Sequence, residues 1–365
     1  KVFSPPPPAI PEPISLPQSA GIPLAGHRGE VFCGAWTADG HYLATGSRDA
    51  TAIIWEIENH TSVSNYILDH ATQQQRSDKD ISTLAWNSSG TILATGCFDG
   101  STRLWTNQGE LKGVLMKHID AVFCVQFSPD GKTLLTGSSD AKIIAWSVAT
   151  GDVIQMFNHH SARAFDVDWL DNKTFASCAA DRTICICTIG HQHPQVVLQG
   201  HTSDVNKIAW DPSKKMIASC SDDTTVRVWR PFEKANPIVF EGHTEHVYTI
   251  KWMPHNSKVL ASGSFDRTVR LWDVQNRTCL RILQKHIDNI YTISFSPKGK
   301  FLISGGVDNM LYVWKTNDGS LVASYPASSS IYEAIWDSTG ENIALCLLDG
   351  IVLILPTNTI PLYKE

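Results

Sequence analysis

The chain has 365 residues, with 42% hydrophobic residues, 18% charged residues and a formal net charge of −6. These values are ordinary for a globular protein with a large core, and they lack the basic excess of a nucleic-acid binder, so we expect no direct sequence-specific DNA binding. No apolar run approaches the roughly 18 residues of a membrane helix, and no signal peptide is visible. The odd number of cysteines, nine, suits reduced thiols of the cytosol or nucleus better than a disulfide framework.

The first 20 residues are rich in proline, with Pro5–Pro8 followed by Pro11, Pro13 and Pro17. Such a stretch favours extended polyproline and cannot form the interior of a sheet. We therefore predict a disordered linker over residues 1–20. A ligand for a proline-binding domain is the alternative. Because the chain begins at Lys1 rather than Met, we expect the natural protein to extend further.

The rest of the chain is built from one recurring string. It consists of Gly-His, about 22 residues, Ser/Thr-Gly-Ser-x-Asp and, six residues later, Trp. Aligning on the Asp finds eight copies, with a first gap of 50 residues and later gaps of 41–43: Asp49, Asp99, Asp140, Asp181, Asp223, Asp266, Asp308 and Asp349. Each copy contains short β-rich runs separated by turn residues, which indicates four strands. The long first gap contains a polar insertion, Asp69 to Asp80, which we interpret as an exposed loop.

This string resembles the WD repeat, and the resemblance predicts an all-β fold, an eight-bladed WD-repeat β-propeller over residues 21–355 with a tail at 356–365. Ile22-Pro23-Leu24-Ala25-Gly26-His27 resembles Val196-Val197-Leu198-Gln199-Gly200-His201, which precedes a later repeat. We therefore expect residues 21–25 to supply the outer strand of the last blade. Such an N-terminal strand closes the ring and removes an exposed sheet edge.

His, Ser/Thr, Asp and Trp recur together, and in WD-repeat proteins they form a buried hydrogen-bonded tetrad within each blade. A catalytic triad would occur once, so we predict a structural role, no enzyme activity and no cofactor. Repeat two lacks the His at its expected place, repeat four has Cys187 for Trp, and repeat eight has Leu345, Leu355 and no His. The complete predicted tetrads are His27, Thr45, Asp49, Trp55; His118, Thr136, Asp140, Trp146; His201, Ser219, Asp223, Trp229; His243, Ser262, Asp266, Trp272; and His286, Ser304, Asp308, Trp314.

Two other motifs carry weak signals. Cys185, Cys187, His191 and His193 have a spacing that resembles a metal site, but Cys187 occupies a tetrad position and should be buried, so we predict no metal. Gly131-Lys132-Thr133 resembles the end of a phosphate-binding loop, but position 126 is Gln126 where that motif needs Gly.

The predicted partner site is the mouth of the central channel, where the innermost strands begin. The second residue of each such strand is Phe32, Ser82, Phe123, Phe165, Asn206, Tyr248, Tyr291 or Tyr332. Neighbouring turns add Phe98, Phe265, Asp222, Glu30, Asp80 and Asp204. Aromatic anchors with acidic neighbours favour a basic peptide partner. The alternative is that these aromatic residues simply pack between blades.

Residues of repeat four point to one particular family of WD-repeat proteins. His160-Ser161-Ala162, Asp166-Val167-Asp168-Trp169 and Cys187 resemble the transducin-β-like corepressor-subunit family, as do Asp80-Ile81 and Asp204-Val205-Asn206 with the residues that follow them. The resemblance implies a nuclear protein-interaction scaffold whose partners are a corepressor protein, a histone deacetylase, histone tails and proteins of the ubiquitin system. It also implies an N-terminal dimerisation module that is missing here, so we expect this chain to be monomeric and the full-length protein to oligomerise. The alternatives are a recognition subunit of a ubiquitin ligase and a cytoplasmic scaffold.

Overall fold

The computed structural model describes residues 12–70 and 79–360, which form eight sheets of short strands and two 3-10 turns, Gln18–Ala20 and Thr357–Thr359. Consecutive strands pair antiparallel, so each sheet is a blade whose strands run outward in chain order from a common central channel. The all-β, eight-bladed propeller is thereby confirmed. In the described part of the chain, no helix is long and apolar enough to cross a membrane.

Two short strands precede the repeats, and four blades follow. The strands are β1 (Ile14–Ser15) and β2 (Ile22–Leu24); blade 1, β3 (Val31–Trp36), β4 (Tyr42–Ser47), β5 (Thr51–Glu58), β6 (Thr61–Asp69); blade 2, β7 (Ile81–Trp86), β8 (Ile92–Cys97), β9 (Ser101–Thr106), β10 (Leu111–Met116); blade 3, β11 (Val122–Phe127), β12 (Thr133–Ser138), β13 (Ile143–Ser147), β14 (Val153–Phe157); and blade 4, β15 (Ala164–Trp169), β16 (Thr174–Ala179), β17 (Ile184–Thr188), β18 (Val196–Leu198).

The other four blades complete the ring. They are blade 5, β19 (Val205–Trp210), β20 (Ile217–Ser221), β21 (Val226–Trp229), β22 (Ile238–Phe240); blade 6, β23 (Val247–Trp252), β24 (Val259–Ser264), β25 (Thr268–Asp273), β26 (Thr278–Gln284); blade 7, β27 (Ile290–Phe295), β28 (Phe301–Gly306), β29 (Met310–Lys315), β30 (Leu321–Pro326); and blade 8, β31 (Ile331–Trp336), β32 (Asn342–Leu347), β33 (Val352–Pro356) with β2.

The core consists of apolar layers between neighbouring blades. At the closing seam, Leu43 and Ile53 of blade 1 pack against Ala344, Cys346 and Ile354 of blade 8. The middle strands of each blade are covered on both faces, which explains why they are nearly continuous apolar runs. Burial of these faces is the main favourable contribution to folding.

The ring closes through β2, as the repeat pattern predicted. Ile22, Pro23 and Leu24 pair antiparallel with Ile354, Leu353 and Val352 on the outer edge of blade 8. A proline is compatible with this position because an edge strand leaves some of its N–H groups without a ladder partner.

The prediction of a linker is wrong for residues 12–20. β1 pairs parallel with β30, so blade 7 has a fifth strand, and Leu16 donates its N–H to Ser324 O at 2.8 Å. Leu16 is buried, and the Tyr325 hydroxyl donates to Gln18 O at 3.1 Å. The three residues between Pro13 and Pro17 are enough to pair with an open sheet edge. The prolines at positions 5–8 and 11 lie outside the described residues.

The predicted C-terminal tail is also shorter than expected. Pro356 belongs to β33, Thr357–Thr359 form a 3-10 turn, and Ile360 is buried in the same apolar cluster as Leu16. Most of the predicted polar insertion, residues 71–78, lies outside the described residues, as do residues 361–365.

Candidate functional site

A β-bulge begins the innermost strand of every blade. In blade 1, Val31 pairs with Ser47 and Cys33 with Gly46, so Phe32 is the extra residue. The register jumps in the same way in the other seven innermost strands. A bulge re-aims a side chain out of the pleat. The eight extra residues all line one cavity of about 470 Å³ at the channel mouth: Phe32, Ser82, Phe123, Phe165, Asn206, Tyr248, Tyr291 and Tyr332.

Five aromatic rings form one arc around this mouth. The Tyr291 and Tyr332 rings stack with centroids 5.5 Å apart, and Phe32 meets Tyr332 edge-on at 5.2 Å. On the other side, Tyr248 contacts Tyr291 at 5.4 Å and stacks on Phe265 at 5.5 Å. The structure thus brings together bulged residues of four blades with the turn residue of blade 6.

A second, shorter arc contains the phenylalanines of blades 2 to 4. Phe123 lies 5.9 Å from Phe98 and 6.0 Å from Phe165, measured between ring centroids. Most of the rings in both arcs are half-buried, and Tyr248 is 44% exposed. The aromatic residues are therefore partly packed against each other and partly accessible, as a binding surface requires.

Polar bulge residues separate the two arcs and are fixed by hydrogen bonds to the next blade. The Ser82 hydroxyl donates to Val122 O, and the Asn206 amide donates to Val247 O at 3.0 Å. The same amide nitrogen donates to the Asp222 carboxylate at 2.7 Å. These contacts hold neighbouring innermost strands together.

The acidic groups that sequence reasoning placed at the mouth differ in their partners. Glu30 forms an ion pair with Arg48 at 2.7 Å. Asp222 lies 3.4 Å from a ring nitrogen of His246. Burial and the neighbouring Asp222 carboxylate raise the pKa of Asp204. The Asp80 carboxylate attracts the Arg48 guanidinium and contributes to its raised pKa. The region around Asp204 and Asp222 is therefore the part of the mouth where like charges meet.

Charged side chains also line the channel below the mouth. Glu333 accepts the Gly34 N–H at 2.7 Å and Asp166 accepts the Ile208 N–H at 3.2 Å, each across a blade boundary. Burial raises the pKa of Asp166 to about 6, against the opposing effect of Lys207. Lys207 and Lys251 line the same channel. Two carboxylates and two ammonium groups therefore lie in the same channel.

The predicted tetrads form hydrogen-bonded chains within single blades. In blade 3, His118 Nδ1 lies 3.0 Å from Asp140, His118 Nε2 lies 2.8 Å from the Thr136 hydroxyl, and Trp146 donates to that hydroxyl at 2.9 Å. Blades 5, 6 and 7 repeat this arrangement. In blade 1, His27 contacts Thr45 at 2.8 Å but lies 3.4 Å from Asp49.

The histidine that repeat two was predicted to lack is His70. It is fully buried, with Nε2 3.0 Å from the Thr95 hydroxyl, which also accepts from Trp105 at 2.9 Å. Arg103 takes the place of the usual Asp and donates to Nδ1. No His occupies the expected place, as predicted, because the insertion follows His70 and increases its separation from Thr95 to 25 residues.

Blades 4 and 8 replace parts of the tetrad with apolar packing. Blade 4 keeps the contacts of His160 to Asp181 at 2.9 Å and to Ser177 at 2.8 Å, while Cys187 packs with Phe157 and Phe175. In blade 8, Leu345 and Leu355 are fully buried in an apolar cluster, and Asp349 is exposed.

Sequence reasoning missed a second set of aromatic residues at the end of the innermost strands. Trp86 donates to Ala35 O of the preceding blade at 3.1 Å, and Trp252 donates to Ala209 O at 2.9 Å. Trp169, Trp210 and Trp336 do the same. The sequence does contain this pattern, because an aromatic residue follows five positions after Val31 and five positions after the equivalent residue of every other repeat.

The residues with a metal-like spacing do not come together as a ligand set. Burial raises the pKa of Cys185 to about 11 and that of Cys187 to about 12, whereas His191 and His193 are exposed in the following turn. Within residues 12–70 and 79–360, no group of three or more His, Cys, Asp or Glu side chains has the geometry of a metal site.

A comparison of two aspartates tests the tetrad account. Asp140→Ala removes the partner of a buried His118, so we expect a loss of about 1–3 kcal/mol in the free energy of unfolding. Asp349→Ala is the matched control, because Asp349 is exposed and holds only the turn N–H of Ile351, at 3.1 Å. Urea unfolding followed by tryptophan fluorescence measures both. Equal losses for the two variants would contradict the account.

The pH dependence of stability tests the role of His70. Burial, reinforced by Arg103, lowers the pKa of His70 to about 3. The unfolded chain protonates a histidine near pH 6.5, so His70 contributes stability above that pH and the contribution is lost as the pH falls. We expect His70→Gln to reduce the slope of unfolding free energy against pH by roughly 1.4 kcal/mol per unit below about pH 6. Parallel slopes for parent and variant in urea unfolding would contradict this.

Comparison with known proteins agrees with the repeat architecture. The WD40 family, described as WD domain, G-beta repeat, matches residues 20–56, 70–106, 109–147, 151–187, 192–230, 236–273 and 277–315, which are most of the chain. The crystal structure of the C-terminal WD40 domain of Sif2 has a TM-score of 0.82 at 23% identity and covers 94% of this chain and 99% of that one. At 23% identity, this structural similarity supports the fold alone.

Two relatives are more similar in sequence. The F-box-like/WD repeat-containing protein TBL1Y of Homo sapiens is 40% identical over 206 residues, which are 55% of this chain and 40% of that protein. TBL1X of Mus musculus is 40% identical over 210 residues, 56% of this chain and 40% of that protein. The chain thus spans less than half the length of these relatives. It belongs to the WD40 family of WD-repeat propellers.

Proposed function

We propose that this propeller is a scaffold of a nuclear corepressor complex that contains a histone deacetylase, and that its channel mouth binds a basic peptide segment. The observation that carries the proposal is the aromatic arc Phe265–Tyr248–Tyr291–Tyr332–Phe32 beside the Asp204 and Asp222 carboxylates. The resemblance to transducin-β-like corepressor subunits supports the choice of complex. A corepressor segment and a histone tail are the two peptide partners that we propose.

The geometry favours a cationic partner at one side of the mouth. Because the Asp222 carboxylate helps to raise the pKa of Asp204, a positive charge placed between them would relieve their repulsion. Phe265 stacks on Tyr248 at 5.5 Å and on His246 at 5.9 Å, and His246 lies 3.4 Å from Asp222, so the aromatic arc reaches the carboxylates through His246. Arg163, Arg182 and His246 lower the pKa of Asp204 against this effect, and at Glu30 a direct ion pair with Arg48 supplies the positive charge.

Aromatic anchors carry most of the free energy at such interfaces. We expect Tyr248→Ala or Tyr291→Ala to weaken binding of a histone-tail or corepressor peptide by about 2 kcal/mol, with little change in folding.

Asp222→Asn should instead slow association and make it less dependent on salt. Titration of the purified chain with labelled peptide, followed by fluorescence anisotropy, measures the affinities, and stopped-flow mixing at two salt concentrations measures the association rates.

Phe232→Ala is the matched control for these substitutions. Phe232 is 57% exposed and follows the third strand of blade 5, so it lies on the opposite face of the ring. Its removal should leave peptide binding unchanged. If the Tyr248 and Tyr291 variants bind as the parent does, the mouth is not the site.

Recognition of substrates for a ubiquitin ligase is a second candidate function. It is favoured by the F-box-like part of the relatives' names. Affinity purification of the full-length protein with mass spectrometry distinguishes the two functions. Deacetylase subunits among the captured proteins support the corepressor scaffold, whereas cullin-type ligase subunits support substrate recognition.

A further inference from the structure

A groove between blades 6 and 7 lies on the face of the ring opposite the mouth. The innermost strands begin at the mouth, so the turns that join first to second strands and third to fourth strands lie at the far end. Two turns of this kind in blade 7, residues 296–300 and 316–320, form one wall of the groove together with Lys315 at the end of β29, and blade 6 forms the other. The cavity has a volume of about 570 Å³.

The groove combines an apolar floor with basic walls. Phe301 is buried at its base, and Met253, Val259 and Leu280 are half-buried beside it. The charged side chains that line it are all lysines: Lys298, Lys300 and Lys315. The whole chain has a net charge of −6, so these three positive groups are opposite in sign to the net charge of the protein.

Hydrogen bonds fix the walls. The Thr316 hydroxyl donates to Gly299 O at 2.7 Å and joins the two turns of blade 7. Arg281 of blade 6 donates to Asp318 O at 3.1 Å and to Asn317 O at 3.3 Å, which ties the outer strand of blade 6 to blade 7. A groove with fixed walls loses little entropy when a ligand binds.

The turn at one wall differs from the turns of blades 1 and 3. The corresponding turn of blade 3 is Ser-Pro-Asp-Gly-Lys, and that of blade 7 is Ser-Pro-Lys-Gly-Lys. In blade 3, Asp130 accepts from the Ser128 hydroxyl at 2.7 Å and from the Lys132 N–H at 3.1 Å. Asp39 accepts the same two bonds in blade 1. A lysine side chain has no acceptor atom, so the Lys298 side chain cannot accept either bond.

Apolar area and positive charge at one groove complement a ligand with the opposite charge and its own apolar group. We propose that this groove binds an acidic peptide segment that carries a bulky apolar side chain, independently of the channel mouth. The apolar side chain would rest on Phe301 and Leu280, and the flanking carboxylates would contact the lysines.

The test uses a short fluorescein-labelled peptide of Asp and Glu around a central Leu-Phe pair, titrated into the whole chain and followed by anisotropy. Lys298→Asp restores the turn found in blades 1 and 3, so it should fold at least as well as the parent while it reverses a charge of the groove. We expect Lys298→Asp and Lys300→Glu each to weaken binding roughly fivefold, and the double variant at least about twentyfold.

Lys132→Glu is the matched control, because Lys132 occupies the position of Lys300 in the turn of blade 3 and is exposed. It should bind the peptide as the parent does. Replacing the Leu-Phe pair of the peptide with Ser-Ser should weaken binding about tenfold. The proposal is overturned if the parent shows no saturable binding or if the double variant binds as tightly as the parent. It is also overturned if an oligothymidylate of equal charge binds as tightly as the peptide.

Discussion

The β-bulge at the start of each innermost strand is the constraint on which both the ring and its candidate site depend. Eight innermost strands line one channel, and each forms backbone hydrogen bonds with the second strand of its own blade. The extra residue has no partner in that ladder, so its side chain is free to point into the mouth. Because the same register recurs in all eight blades, the side chains collect on one surface. Tyr248, Tyr291, Tyr332 and Phe32 therefore touch although they are far apart in the sequence.

The blades that carry these residues are stabilised in two different ways. In blades 3, 5, 6 and 7, a buried polar chain from Asp to Trp ties the strands of one blade together, and such a network is stable only when each member has a partner. Blade 8 has replaced its Ser/Thr and Trp by Leu345 and Leu355. It is supported instead by β2 on its outer edge and by Leu16 and Ile360 in its apolar cluster. The two ends of the described chain thus reinforce the blade with the weakest internal hydrogen bonding.

The sequence was sufficient to predict the propeller, its eight blades and the strand that closes it, because each depends on a repeat of nearly constant length. His70 was missed because an insertion changes the spacing on which the alignment relies. The fifth strand of blade 7 was missed because Pro13 and Pro17 obscure the three residues that pair. The bulges could not be foreseen, since they depend on register between strands, but their side chains were found from the aromatic residues at one position. The groove between blades 6 and 7 joins residues from two repeats, and no pattern within one repeat predicts it.

The most direct test of the proposed function is whether the aromatic arc at the channel mouth contacts the bound peptide. The chain can be labelled with 3-fluorotyrosine and titrated with histone-tail and corepressor peptides while the fluorine NMR resonances of its eight tyrosines are followed. Single Tyr→Phe variants assign the signals. The account predicts saturable shifts for Tyr248, Tyr291 and Tyr332, and constant positions for the buried Tyr312 and Tyr325. Saturable binding that leaves the three mouth resonances unchanged would contradict it.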